Sequence, residues 1–181
     1  HTPEKTYHFI VSSGIGFDAA VCHEAVNSNF KKLLNRFNLG KLTYTGIALK
    51  QLLLLRSTPV SMVLDDSRQF EFDDVFFIAC MNLKYEGGGF KFCPDASPED
   101  GLLDVIVIEG ISKLKMLFCL PSALWGKHTR IRGVHILQCR NVHITSAHSL
   151  PVHKDGESGG IQREFSVTLE KKPLKIIMPV L

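Results

Sequence analysis

The chain has 181 residues, 45% hydrophobic and 22% charged, enough apolar material for one domain with a sizeable core and too much for a disordered chain. Its formal net charge of +3 is too small to imply nucleic acid. No apolar run approaches the roughly 20 residues of a membrane-spanning helix. A secretory signal is not seen, and because the chain opens on His1 rather than Met, there is room for a signal or a whole domain upstream.

In chain order, Thr6–Val11 has the pattern of a strand and Ser12–Gly16 that of a turn, with Asp18 set to cap a helix beginning at Ala19. Gly40 is a helix stop, and Thr45–Leu55 predicts a second helix. Mostly strands follow: Val60–Leu64, Arg68–Phe72 and Val75–Met81, the first two joined by Asp65-Asp66-Ser67, a hairpin signal. Gly87-Gly88-Gly89 is a flexible loop, and Leu103–Ile108 a buried-type strand. Ser112 caps a helix from Lys113 to Leu120, with Pro121 at its end. Val134–Gln138, Asn141–Thr145, Glu164–Leu169 and Leu174–Met178 are four more strands. Strands outnumber helices, which gather near the front. The pattern predicts a mainly β (α+β) fold, a β-sandwich with helical insertions, as a single domain over 1–181.

Charge is segregated. From Lys31 to Arg56 there are six basic residues and no acidic one, and from Gly110 to Lys154 seven Lys/Arg, five His and no carboxylate. A basic face suits phosphates or an anionic membrane surface; two solvated element faces explain it equally well. Lys31, Lys32, Arg36 and Lys41 beside Leu33, Leu34 and Leu42 are the candidates for membrane contact. The five cysteines include no C-x-x-C pair, so a cysteine zinc site is not expected. Buried free thiols in a reducing compartment are.

Four short motifs bear on chemistry. Gly14-Ile15-Gly16 ahead of a helix invites a phosphate, but the third glycine position is Ala19 and Asp18 would repel the anion, so a tight strand-to-helix turn is preferred. Asn82 followed by Gly87, Gly88 and Gly89 is less ordinary. Three glycines cost backbone entropy, and such loops often admit a ligand or another backbone. The acidic bend Asp95–Asp104 offers carboxylates and carbonyls to a hard cation, although an ordinary Asp-Gly turn suits the spacing better. Asp155-Gly156-Glu157 places two carboxylates after a long basic stretch, where an ionised carboxylate can accept a proton or reach magnesium. A hairpin with solvated acids is the simpler reading there. Neither glycine cluster has the Lys and Ser/Thr of a P-loop.

Taken in order, Gly16-Phe17-Asp18-Ala19, Gly40 then Tyr44, Asn82 then Gly87–Gly89, Pro94-Asp95-Ala96, Asp100-Gly101-Leu102-Leu103-Asp104 and Asp155-Gly156-Glu157 resemble the diacylglycerol kinase-like lipid kinases, which include YegS-like, sphingosine and ceramide kinases. The resemblance is to their second, β-sandwich domain. The Gly-Gly-Asp-Gly-Thr hallmark of the nucleotide-binding domain is not in this sequence, so the chain looks like half of a lipid kinase. The resemblance implies ATP-dependent transfer of a γ-phosphoryl group to a lipid hydroxyl, diacylglycerol or a relative, in phospholipid metabolism. It implies a cytoplasmic protein peripheral to membranes, whose partners are the lipid, an anionic surface and the nucleotide-binding domain. It places Mg2+ at the carbonyls of Ser97 and Leu102 and the carboxylate of Asp100. Glu157 would be the proton acceptor, with Asp155 and Asn82 lining the interdomain cleft and Gly87–Gly89 near the cofactor. The chain alone would be inactive. A non-catalytic lipid-binding or regulatory module is the alternative.

Overall fold

The structure, a computed structural model, describes residues 1–27 and 40–170. The expected strand Leu174–Met178 and the basic residues Lys31, Lys32 and Arg36 lie outside the described residues. Among the described residues seven strands form one sheet: β1 (Ser12–Gly16), β2 (Thr58–Leu64), β3 (Arg68–Met81), β4 (Leu103–Glu109), β5 (Val134–Cys139), β6 (Asn141–Lys154) and β7 (Glu157–Thr168). Three helices among the described residues accompany it, α1 (Phe17–Asn27), α2 (Gly40–Leu54) and α3 (Lys113–Ser122), with 3-10 turns at Ala123–Trp125 and Lys127–Arg130.

The fold is mainly β with few helices, as expected, and its strands form not two separate sheets but one continuous antiparallel sheet of barrel-like shape. Strands β1 and β2 both pair with β3 on one side and β6 on the other, so they lie end to end in one row, with β4 and β5 continuing the sheet beyond β3 and β7 beyond β6. Helices α1 and α2 are the excursion between those two strands. The hairpin at Asp65-Asp66-Ser67 forms as expected, with Asp65 and Asp66 at positive φ (50° and 58°) and the Ser67 amide donating to the Leu64 carbonyl at 3.2 Å. Asp65 is also fastened from outside: its Oδ1 accepts the Arg140 amide at 2.8 Å.

Two cores follow from side-chain alternation. In β2, Val60, Met62 and Leu64 are buried while Ser61 is exposed, the period-two pattern of a strand with one wet face. These residues join Ile78, Cys80, Val105, Val107, Ile144 and Val152 inside the roll. In the second half of β3 and in β4 nearly every residue is buried, because the outer face there is covered too. Phe77, Ala79, Met81, Ile106 and Ile108 pack outward against Phe17, Leu52, Met116 and Cys119 of the helices. A continuous apolar run in the sequence is thus a strand between two cores.

Three local expectations change. Thr6–Val11 forms no regular strand, whereas Ser12–Gly16, expected as a turn, is β1 and wholly buried. Gly14 explains the misreading. A Cβ on it would lie 2.8 Å from the Ile78 carbonyl oxygen and 2.9 Å from His153 Nε2, so the glycine permits close approach inside a sheet rather than a turn. Helix α1 starts at Phe17, which puts Asp18 inside its first turn rather than ahead of it. Ser112 does cap α3, accepting from the Lys115 amide at 3.4 Å, and Pro121 sits within the last turn of the helix. All five cysteines are free thiols and four are buried.

Candidate functional site

The sequence-selected residues converge on one end of the sheet. Ser12 pairs with Met81, Ser13 with Lys154, and Met81 with Asp104. The starts of β1 and β4 therefore meet the ends of β3 and β6. Asn82, the glycine loop, the acidic bend and the Asp155 turn all leave the sheet at this end.

Asp155 occupies the tight turn between β6 and β7 at φ 45°. Its Oδ2 accepts the Ile10 amide at 2.7 Å, and its Oδ1 accepts those of Val11 at 2.8 Å and Ser12 at 3.0 Å. Three main-chain donors make this carboxylate a clamp that holds the entry to β1. Asn82 closes the other side of the same segment: its Nδ2 donates to the Ile10 carbonyl and its amide to that of Val11, both at 2.9 Å. Glu157 differs. Its side chain is 77% exposed and its Oε2 lies 2.5 Å from Lys154 Nζ. It is a solvent-facing carboxylate on a turn that Asp155 holds in place.

Gly87, Gly88 and Gly89 all have positive φ (36°, 78° and 96°), and a Cβ on any of them would meet nothing within 4 Å. The loop is pinched at its base, where Glu86 and Phe90 exchange backbone hydrogen bonds. In the acidic bend, Asp100 Oδ1 accepts the Leu102 amide at 2.9 Å and Ser97 Oγ accepts that of Glu99 at 3.3 Å. Asp100 is exposed, with a second carboxylate oxygen to offer. Such an oxygen set is the kind that suits a hard cation.

A cavity of about 750 Å³ opens beside these residues. Its rim includes Asn82, Pro98, Glu99 and Lys154, so it touches both the acidic bend and the base of the Asp155 turn. Phe9, Leu103, Val152, Phe165, Val167 and Leu169 give it apolar walls. Four of these, Leu103, Val152, Phe165 and Val167, also belong to the inner core, so the cavity extends the interior of the roll outward.

Beneath the turn lies a group that the sequence does not announce. His153 Nε2, fully buried, is 2.7 Å from Asp18 Oδ2 and 3.4 Å from Glu86 Oε1. The contact with Asp18 is close, but it is an ion-pair contact off the ring N–H direction rather than a hydrogen bond. Ser12 Oγ donates to Glu86 Oε1 at 2.6 Å. On the far side of the ring, the Gly156 amide points at Nδ1 at 3.4 Å. Burial, then the adjacent Asp18 carboxylate, pushes Glu86 up to about 8, so at neutral pH it is mostly protonated. Burial works to lower the His153 pKa, but Asp18 and then Glu86 outweigh it and the value lies above the usual histidine range. Among the described residues these three are the one His/Cys/carboxylate group with metal-ligand spacing. The same two carboxylates, after burial itself, push the Cys22 thiol up to about 12, which keeps it unreactive.

Asp18 was legible as a motif residue, but Glu86 and His153 were not. Their one sequence signal is position: Glu86 precedes the Gly87–Gly89 loop and His153 the Asp155-Gly156 turn, and the two meet Asp18 only in the fold.

Residues 10–177 match the family described as the YegS C-terminal NAD kinase beta sandwich-like domain. In sequence, the chain is 28% identical over 169 residues to "Putative lipid kinase YtlR" of Bacillus subtilis, covering 93% of this chain and 54% of that protein. It is 29% identical over 154 residues to a diacylglycerol kinase of Mycobacterium tuberculosis, covering 85% and 46%. In structure it resembles a diacylglycerol kinase from Bacillus anthracis, with a TM-score of 0.58 at 20% identity, over 91% of this chain and 50% of that one. The chain therefore spans about half the length of the curated relatives it matches.

Proposed function

The chain belongs to the YegS C-terminal domain family, and on that premise we propose that it is the lipid-side part of an ATP-dependent lipid kinase, which moves the γ-phosphoryl group of ATP to a lipid hydroxyl. One observation carries the reading. The exposed Glu157 carboxylate is tied by Lys154 to the rim of a cavity with apolar walls. Diacylglycerol or a related lipid has this division, a hydroxyl at the water boundary and acyl chains that need apolar cover.

In this reading the acyl chains enter between Phe9, Val152, Phe165 and Leu169, and burial of their methylenes supplies affinity at about 0.8 kcal/mol each. The hydroxyl stays at the rim. Glu157 accepts its proton as the oxygen attacks phosphorus, a modest demand in a reaction governed by positioning and charge neutralisation. Asp155 is a positioning residue: it holds the turn while Glu157 stays free to meet the hydroxyl. The Gly87–Gly89 loop, with no side chain to obstruct it, leaves room for nucleotide phosphates brought by a second domain. Mg2+ would be held by Asp100 with the carbonyls of Ser97 and Leu102, where it would brace the bend beside the rim.

The phosphoryl donor site belongs to a nucleotide-binding domain, so the 181-residue chain alone is inactive. The test is Glu157→Gln in a protein that carries both halves. It keeps the shape and removes the base, and since a positioned base contributes roughly 100- to 10,000-fold, turnover falls by at least about 100-fold while lipid binding holds. A loss under about threefold eliminates Glu157 as the base. ATP-dependent lipid phosphorylation by the 181-residue chain alone would refute the two-domain reading.

A further inference from the structure

Asp18, Glu86 and His153 reach one another from three separate elements: the first turn of α1, the pinched base of the glycine loop and the end of β6. Each offers one ligand atom, and the three atoms lie within 4.8 Å of one another. Their polar atoms set them apart from an ordinary buried ion pair. Asp18 Oδ2, Glu86 Oε2 and His153 Nε2 are all buried, and none has a hydrogen-bond partner. His153 has no exposed surface at all. Its Nε2 is 2.7 Å from Asp18 Oδ2 and 3.4 Å from Glu86 Oε1, yet it makes a hydrogen bond to neither. A buried polar atom without a partner is costly and calls for an explanation. One cation among these three atoms would satisfy all of them together.

The surroundings suit an ion as well. Ser12 Oγ donates to Glu86 Oε1 at 2.6 Å, which orients the carboxylate and leaves Oε2 free, the part an outer partner plays for a metal ligand. Gly14 lies against the imidazole: a Cβ there would stand 2.9 Å from Nε2, so the glycine keeps clear the space beside the nitrogen. The Asp18 side chain, 14% exposed, gives the group its opening to solvent. The donor set selects the class of ion. Mg2+ prefers oxygen ligands and gives up water reluctantly, whereas one imidazole nitrogen with two carboxylates suits a borderline transition ion, and Zn2+ accepts few ligands in a closed site.

We propose that Asp18, Glu86 and His153 bind one divalent transition-metal ion of the Zn2+ class, which staples α1, the glycine loop and β6 together beneath the Asp155 turn. The proposal stands apart from the kinase reading and from the oxygen set of the acidic bend, and it is tested by metal binding alone. In chelator Glu86 keeps its proton, and the ion takes the place of that proton. Ligation through Nε2 leaves the ring proton on Nδ1, at which the Gly156 amide points at 3.4 Å. Binding therefore displaces this amide, which supplies a second readout.

Protein stripped with chelator is titrated with Co2+, whose visible absorption reports its ligands, and then with Zn2+. One Co2+ binds per chain, Zn2+ displaces it, and Mg2+ does not. With Zn2+ at about a hundredfold excess over its dissociation constant, the melting midpoint rises by about 5–10 °C. Asp18→Asn and Glu86→Gln, which keep the shape of each side chain, each lower the affinity at least about 100-fold. His143→Gln, which alters an exposed histidine, leaves it unchanged. Three results would each overturn the proposal: no saturable binding, full displacement by Mg2+, or parental affinity in both cluster variants. If those variants unfold, the parent protein decides by nuclear magnetic resonance. Bound Co2+ shifts the His153 imidazole and the Gly156 amide, and unshifted resonances refute the site.

Discussion

Replacing Glu86 by Gln tests the buried cluster through its proton. The unfolded chain releases the Glu86 proton near pH 4.5, whereas the folded protein holds it to about 8. Its stabilising contribution is thus complete below about pH 4.5 and is lost as pH rises through about 8. Between those limits the native state carries one extra proton, and stability falls by about 1.4 kcal/mol per pH unit. His153 acts in the same direction, because its pKa is also raised on folding: its share is present below the ordinary histidine value and lost as pH climbs past the folded one. Gln is the isostere of protonated Glu and cannot ionise. The variant should therefore match the parent near pH 5 and become progressively more stable than it toward pH 8. For a chain of this size the gap should open by roughly 3–5 °C per pH unit. Thermal melts followed by circular dichroism at steps from pH 5 to 9 measure this directly. Curves for parent and variant that stay parallel within about 1 °C would show that Glu86 does not hold the proton.

Asp155→Ala removes the acceptor for three main-chain amides and should cost about 1–3 kcal/mol, with faster hydrogen exchange confined first to residues 10–12; an unchanged exchange rate there would show that the clamp is not used in solution. Asp100→Ala should lower the melting temperature in magnesium but not in chelator, and identical melting of parent and variant in both buffers would remove the cation from the acidic bend.

Much of the architecture was legible along the chain because local patterns are read by local forces. The alternation of Val60, Met62 and Leu64 marks a strand with one buried face, Asp65-Asp66 marks its hairpin, and Ser112 marks the start of a helix. The motif set from Gly16 to Glu157 was also visible in order, and with it the family. Two strands were misread for identifiable reasons. Ser146 to Pro151 is polar and carries a proline, so β6 read as ending at Thr145, yet its irregular pairing with β7 across Thr145/Leu150 absorbs the break. Gly14-Ile15-Gly16 has the composition of a turn and becomes a strand only because β3 and His153 press against it from both sides.

Tertiary structure alone decided the rest. The sequence identifies nine strand segments but not whether they make two sheets or one, since that depends on β1 and β2 sharing a row between β3 and β6. It shows carboxylates at Asp155 and Glu157 but not their division of labour. Both are charged and adjacent to Gly156, and only the fold places three amide donors around the first and open solvent around the second. The meeting of Asp18, Glu86 and His153 is least legible of all. They lie 68 and 67 residues apart in sequence, on α1, the Gly87 loop and β6. Their proton affinities arise from mutual distance and exclusion of water, quantities that exist only once the chain has closed around them.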